Sequence, residues 1–120
     1  MDKDLLELVD VLIRRSGSPN VQWEDASTLS GGERFRLNFG DTVVEISDGE
    51  VTRWRDEDEG RLFPMYRLQV LNNRGFVVAE QELAECDPMY GKLDTLFETA
   101  RSNSRKRENV ISNLLDRIGR

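Results

Sequence analysis

The fold is decided by residues 34–47, which read RFRLNFGDTVVEIS. Polar and apolar side chains alternate over the first six of these residues, which is the period of a β-strand with one covered face. Gly40-Asp41 is typical of a tight turn, and residues 42–47 can pair back as the second strand of a hairpin. The stretch therefore predicts antiparallel β-structure in the middle of the chain.

More turns and strands follow along the chain. Asp48-Gly49 predicts another turn, and Asp56–Gly60 predicts a charged loop, because four adjacent acids cannot share a buried strand. A third turn is predicted at 72–75. Further strands are predicted at 51–54, 66–70 and 76–79. The sum is an antiparallel meander of four or five strands with one solvated and one covered face.

The N-terminal segment 4–15 predicts a helix that Asp2 or Asp4 caps and that ends before Gly17. Its polar side chains form a narrow stripe, and the rest of its surface is apolar. Such a helix must be covered on more than one side. Either the sheet and the C-terminal helix share this role, or a second copy of the chain covers one side. The apolar face in question includes Leu5, Leu8 and Leu12.

The last part of the chain predicts helical structure, with Asp87 as N-cap and Pro88 at the first helical position. Apolar residues at helical spacing flank the segment 101–107, which contains none. They are Met89, Leu93, Leu96, Phe97 and Ala100 before it, and Ile111, Leu114, Leu115 and Ile118 after it. One helix through all of them would be about 46 Å long. That exceeds the width expected of so small a domain, so we favour two helices with a break or kink near 102–104.

The chain has 120 residues and a mass of 13.8 kDa, which suits one domain with one hydrophobic core over residues 1–120. The predicted fold class is α+β. An antiparallel sheet of four or five strands carries the N-terminal helix and the C-terminal helix or helix pair, packed on one face.

The composition excludes several kinds of chemistry. The sequence contains no histidine and one cysteine. It therefore offers no imidazole base, no histidine metal ligand, no intramolecular disulfide and no CxxC pair. We predict no catalytic, cofactor-binding or metal residues. The N-terminal apolar run is short and interrupted by Glu7 and Asp10, so we expect no membrane contact and a cytoplasmic location.

Residues 28–34, TLSGGER, resemble the LSGGQ signature of ABC-type ATPases. In that family the serine and glycines contact the γ-phosphate of ATP held by the opposite subunit, and the motif begins a helix. This chain has no GxxxxGK[ST] loop, and the residues after Glu33 alternate with period two. We therefore interpret the string as a turn that leads into a strand.

Charge is distributed unevenly along the chain. The net charge is −6, but residues 99–120 carry six Lys and Arg against two acids, and residues 1–98 carry eleven against 21. The basic cluster consists of Arg101, Arg105, Lys106 and Arg107. Clustered cations suit phosphates, but the acidic body repels a polyanion and no aromatic residue interleaves the cluster. We expect the cluster to meet an acidic surface on its own body, a sister subunit or another protein.

Two tryptophans are candidates for the core or for a partner surface. Core packing is the commoner fate of aromatic residues in alternating strands. Trp54 is expected to be the more exposed of the two, because it stands between Arg53 and Arg55 beside the acidic loop. Cys86 has no basic neighbour that would complete a nucleophilic pair, and we interpret it as incidental.

The order of elements resembles that of small uncharacterised bacterial and archaeal domains. The shared features are a short amphipathic helix, a tryptophan before the sheet (here Trp23), an antiparallel meander and a closing helical pair. The resemblance covers most of the chain and implies the fold, but it brings no catalytic residues.

These observations favour a non-catalytic protein-interaction or regulatory module that forms a homodimer or binds another protein. One alternative is a nucleic-acid-binding accessory protein that uses the basic cluster. Another is a small-ligand-binding protein or a carboxylate-based enzyme, which would need a pocket lined by carboxylates of raised pKa. The candidate interaction residues are Leu5, Leu8, Leu12, Trp54, Arg101, Arg105, Lys106 and Arg107.

Overall fold

A computed structural model describes residues 1–29 and 31–119, except for the side chains of Arg107 and Glu108. The elements in chain order are α1 (Lys3–Arg15), β1 (Glu24–Asp25), β2 (Arg34–Asn38), β3 (Thr42–Trp54), β4 (Gly60–Asn72), β5 (Val77–Ala84) and α2 (Tyr90–Arg117). The five strands form one antiparallel sheet in the order β1-β2-β3-β4-β5. The predicted α+β fold with helices on the sheet is confirmed.

The hairpin predicted at 34–47 is present as β2 and β3. Phe35 pairs with Ile46 and Leu37 pairs with Val44, so the alternating apolar residues of both strands face the same side. All four are buried in the core. The register follows from the period of the sequence, because a shift by one residue would turn this apolar set to solvent.

Strands β3 and β4 are each 13 residues long, whereas the sequence predicted shorter strands with a turn at Asp48-Gly49. That turn prediction is wrong. Asp48 pairs with Tyr66, and its backbone N–H donates to the carbonyl of Glu33 at 3.1 Å, so the chain stays extended through the glycine. The acidic loop is instead the turn that joins these two long strands, and the short strand β1 was not predicted.

The ends of β3 and β4 project beyond the rest of the sheet. β2 begins opposite Ser47, and β5 ends opposite Met65. Residues 50–64, which we call the β arm, therefore form a two-stranded ribbon with no neighbouring strand in the described sheet. Its five cross-strand pairs give it a length of about 17 Å before the turn.

Helix α1 begins where Asp2 accepts a hydrogen bond from the backbone N–H of Asp4 at 2.7 Å, as the predicted cap requires. Val9 and Leu12 face the core, and α1 packs against α2. The ammonium of Lys92 lies 2.8 Å from a carboxylate oxygen of Asp10 across this contact. The core and α2 therefore cover the side of α1 that carries Val9 and Leu12.

Helix α2 is a single bent helix from Tyr90 to Arg117. The predicted pair of separate helices is therefore absent, and the other form that we allowed, one C-terminal helix, is the one present. Two of the polar residues that suggested a break, Arg101 and Asn103, bind the body of the protein, and the helix continues through them. The expected width was also too small, since the molecule is 61 Å along its longest axis. Asp87 does not cap the helix, because its carboxylate accepts from the backbone N–H of Ala84 at 2.9 Å.

The core lies between one face of the sheet and the two helices. Trp23 is fully buried there, and its indole N–H donates to the hydroxyl of Ser16 at 2.9 Å. Phe97 of α2 packs edge-on against Phe35 and also contacts Tyr66. These aromatic contacts lock α2 across the sheet from β4 to β2.

Candidate functional site

The β arm presents Trp54 to solvent, as its position between two arginines predicted. Trp54 is 65% exposed, and its cross-strand neighbour is Gly60. A Cβ atom at position 60 would lie 2.8 Å from the indole ring, so the ring rests directly on the glycine backbone. Glycine therefore holds the indole in one place while one ring face stays open.

A cleft of about 710 Å³ opens beside this indole, and we call it the arm cleft. Its lining includes Arg53, Trp54, Arg61, Phe63 and Cys86. The guanidinium of Arg61 stands over the Phe63 ring at 5.3 Å. Aromatic rings and arginines thus share one concave surface, and both residue types are enriched in protein interfaces.

The floor of the arm cleft is tied to the turn before α2. Arg53 donates to a carboxylate oxygen of Asp87 at 3.0 Å. The backbone N–H of Ala84, and then Arg53, lower the pKa of Asp87 below its ordinary value because both stabilise the carboxylate. The thiol of Cys86 is exposed at this point and lies 4.0 Å from Asp87.

The second exposed apolar surface is the end of α2. We call it the apolar stripe, and its members are 47–71% exposed: Val110, Ile111, Leu114 and Ile118. Ile111, Leu114 and Ile118 continue, at spacings of three and four residues, the helix face that begins with the buried Leu93, Phe97 and Ala100, and Val110 lies beside this face. This face of α2 is therefore buried at Leu93, Phe97 and Ala100 and exposed at Ile111, Leu114 and Ile118.

The basic cluster is divided between the body and the solvent. Arg101 forms ion pairs with Glu33 at 2.7 Å and with Glu98 at 2.8 Å, and it stacks over Phe97 at 4.8 Å. The hydrogen bond to Glu33 raises the pKa of Arg101 further above its ordinary value. Arg101 is thus held by an acidic surface on its own body, one of the three partners that the sequence analysis expected.

The other members of the cluster lie further along α2. Arg105 is exposed, and its charge adds to the hydrogen bonds from Ser27 that lower the pKa of Asp25. Lys106 is exposed at a shallow groove between the end of α1 and α2. The side chain of Arg107 lies outside the described part of the structure.

The sequence pattern did not indicate a role for Asn103, yet its side chain joins three segments of the chain. Its amide nitrogen donates to the carbonyls of Ser16 and Val21, both at 2.8 Å, and its oxygen accepts from the backbone N–H of Trp23 at 2.7 Å. Nothing in the local sequence indicates partners 80 residues away. This amide fixes where the end of α2 leaves the body of the protein.

The candidate residues of α1 pack mainly within the chain itself. Leu12 is 4% exposed, and Leu5 and Leu8 are half-buried against the core. The outward side of α1 is a shallow depression that includes Leu6 and Val11. Leu12 is therefore occupied by the protein's own core and presents no free surface.

The sheet face opposite the helices is a ladder of paired charges. Glu45 is 5% exposed and accepts from the guanidinium of Arg36 at 2.7 Å, with Arg34 at 3.8 Å. Beside it, Arg67 pairs with Glu82 and lies 3.2 Å from Glu80. Because its opposite charges are already matched, this face offers little uncompensated charge to a partner.

The described residues give little support for a metal site or for acid catalysis by a carboxyl group. No group of three His, Cys, Asp or Glu among them has the geometry of a metal site. The two carboxyl groups with a resolved pKa shift, Asp25 and Asp87, both shift downward. Burial and a 2.6 Å hydrogen bond to Asp94 raise the pKa of the Tyr66 hydroxyl. These directions do not match the raised carboxyl pKa that a carboxylate-based acid catalyst requires.

The TLSGGER string leads directly into β2, as its interpretation as a turn predicted, with Ser30 outside the described residues. Gly32 lies against Asp48, so a side chain at position 32 would collide with the Asp48 carboxylate.

In the described residues, no helix is both long and apolar enough to cross a membrane. Comparisons of the chain with protein-family models, curated proteins and solved structures find no match.

Proposed function

We propose that this chain is a non-catalytic protein-interaction module that associates with a second copy of itself through the end of α2. The observation that carries the proposal is the apolar stripe. One helix face is buried at Leu93, Phe97 and Ala100 and carries exposed apolar side chains at Ile111, Leu114 and Ile118, which supports a role for this end as an interface.

The apolar stripe exposes a substantial area. Its four side chains offer roughly 400 Å² of apolar surface, which falls in the range of the largest patches on ordinary monomers. Removal of that surface from water is favourable by about 25 cal/mol per Å² before the costs of association. A second copy presents an identical surface at the same concentration, and closed two-fold pairing is the commonest assembly of such surfaces.

The alternative functions find less support among the described residues. A nucleic-acid site would need the basic cluster to be free for phosphates, but Arg101 is held between Glu33 and Glu98. A carboxylate-based enzyme would need a pocket whose acids hold their protons near neutral pH. Neither a free basic cluster nor such a pocket is as evident among the described residues as the apolar stripe.

Sedimentation velocity of the purified chain tests this proposal. We expect a concentration-dependent rise from the 13.8 kDa monomer toward twice that mass. The double variant Ile111→Glu, Leu114→Glu places two charges in the apolar stripe and should remain monomeric at every concentration. Because both side chains are exposed, its thermal midpoint should match that of the monomeric wild type.

Asn109→Glu and Asn113→Glu together are the matched control, because they add the same charge to exposed positions of the same helix. This control should dimerise like the wild type. A wild type that stays monomeric over the whole concentration range would refute self-association. A double variant that dimerises as well as the control would show that the apolar stripe is not the interface.

A further inference from the structure

We infer that the two copies pair through the ends of α2 in antiparallel orientation, so that their bodies lie at opposite ends of the dimer. This inference rests on the proposed self-association and adds the direction in which the two helices run. Three observations support it: the face of α2 that carries the apolar stripe, the side of α2 on which the core lies, and the distribution of charge along the exposed end of the helix.

The apolar stripe repeats the core face of α2 after five helical turns. An α-helix makes five turns in 18 residues, so positions that differ by 18 point in the same direction. Three buried residues of α2 each have an apolar counterpart 18 positions later that is 47–71% exposed. The pairs are Leu93 and Ile111, Leu96 and Leu114, and Ala100 and Ile118. The stripe therefore faces the same side of α2 as the core of its own molecule.

The position of the core excludes a parallel pair. Packed helices lie about 8–10 Å apart. If the helices ran in the same direction, the first half of the partner's α2 would lie at that distance on the side where Phe97 and Ala100 already pack in the core. The two bodies would then overlap, because the molecule is 28 and 27 Å across its shorter axes. In an antiparallel pair only the exposed ends of the two helices lie side by side.

The charges along the exposed end of α2 also favour the antiparallel pair. Residues 105–108 carry three cations and one acid, and residues 116–120 carry two cations and one acid. In a parallel pair each segment lies beside its own copy, so a charge of +2 faces +2. In an antiparallel pair residues 105–108 face the last helical turn of the partner, where the sequence carries +1 and the free carbonyl groups of the helix add partial negative charge.

The size of the contact sets its affinity. Two stripes that face each other remove roughly 800 Å² of surface from water, which is below the standard size of a stable interface and is typical of a weak, reversible contact. We therefore expect a dissociation constant of about 1 μM or higher.

Distances between spin labels test the direction of the helices. Two single-cysteine chains carry Cys86→Ser together with either Asn113→Cys or Thr95→Cys, and each is labelled with a nitroxide. Positions 95 and 113 are both exposed and differ by 18, so the two labels point to the same side of α2. Double electron–electron resonance then measures the distance between the two labels of each dimer, at a concentration where sedimentation shows the dimer.

We expect about 20–35 Å between the labels at position 113 and about 50 Å or more between the labels at position 95. The difference arises because 18 residues add about 27 Å along each of two helices that run in opposite directions. Ile111→Glu should abolish both distances. Asn109→Glu adds the same charge at an exposed position of the same helix and should keep them.

Equal distances at the two positions would overturn the antiparallel pairing and leave self-association intact. A dimer with about 45 Å or more between the labels at position 113 would also overturn it, because the two helix ends would then lie apart on different surfaces. Chains that stay monomeric and give no distance at either position would overturn both the pairing and the proposed function.

Discussion

Replacement of Asn103 by alanine is the sharpest test of how the end of α2 is held. The substitution removes three hydrogen bonds of 2.7–2.8 Å and leaves the backbone N–H of Trp23 and two carbonyls without that partner. A buried group that loses its partner costs about 1–3 kcal/mol. Because these groups are only partly buried, we expect the free energy of unfolding to fall by about 2–3 kcal/mol in total.

Urea denaturation followed by tryptophan fluorescence measures this loss. The expected change in stability corresponds to a fall in the thermal midpoint of roughly 8–12 °C for a domain of this size. Asn109→Ala is the control, since it makes the same change at an exposed position of the same helix. Both variants gain the same helix propensity, so their difference isolates the three hydrogen bonds.

Asn103→Asp separates the two halves of the interaction. It keeps an oxygen that accepts from Trp23, but it sets a carboxylate against the carbonyls of Ser16 and Val21. We expect it to be no more stable than the alanine variant at pH 7. If Asn103→Ala stays within about 0.5 kcal/mol of Asn109→Ala, Asn103 does not hold the helix and the reasoning is wrong.

Two further predictions concern acid stability and the core. Folding lowers the pKa of Asp87 from its ordinary value of 3.8, so its contribution is complete above that value and is lost as the pH falls through the folded pKa. Asp87→Asn should therefore be less stable than the wild type at pH 7, with a difference that shrinks at pH 3; a difference independent of pH would contradict this. Leu12→Arg should give an unfolded chain by circular dichroism, because it buries an unpaired charge, whereas Leu6→Arg on the outward side of α1 should fold. A folded Leu12→Arg monomer would show that Leu12 is not part of the core.

The alternating strands and the N-terminal helix were predictable, because their signals are carried by neighbouring residues. Phe35 and Leu37 alternate with polar residues in the sequence, and both are buried on one side of the sheet. Asp2 caps α1 as its side chain and position predicted. The exposure of Trp54 followed in the same way from its charged neighbours.

The errors arose where distant residues outweighed a local signal. Asp48-Gly49 has the composition of a turn, but its pairing with Met65 and Tyr66 keeps the strand extended. The polar segment of α2 suggested a break, but Glu33 binds Arg101 and the helix continues through it. The β arm and the arm cleft could not be predicted for the same reason, since both result from the length of this pairing.

Periodicity and capping act over a few residues, and for this reason the amino-acid order alone specified the types of element, their succession and the absence of histidine chemistry. The partners of Asn103 lie 80 to 87 positions away and Glu33 lies 68 positions from Arg101, and no local pattern encodes such separations. Whether an apolar helix face is covered likewise depends on where the sheet ends. The core face of α2 and its apolar stripe have the same spacing in the sequence, and the three-dimensional packing alone leaves one buried and the other free for a partner.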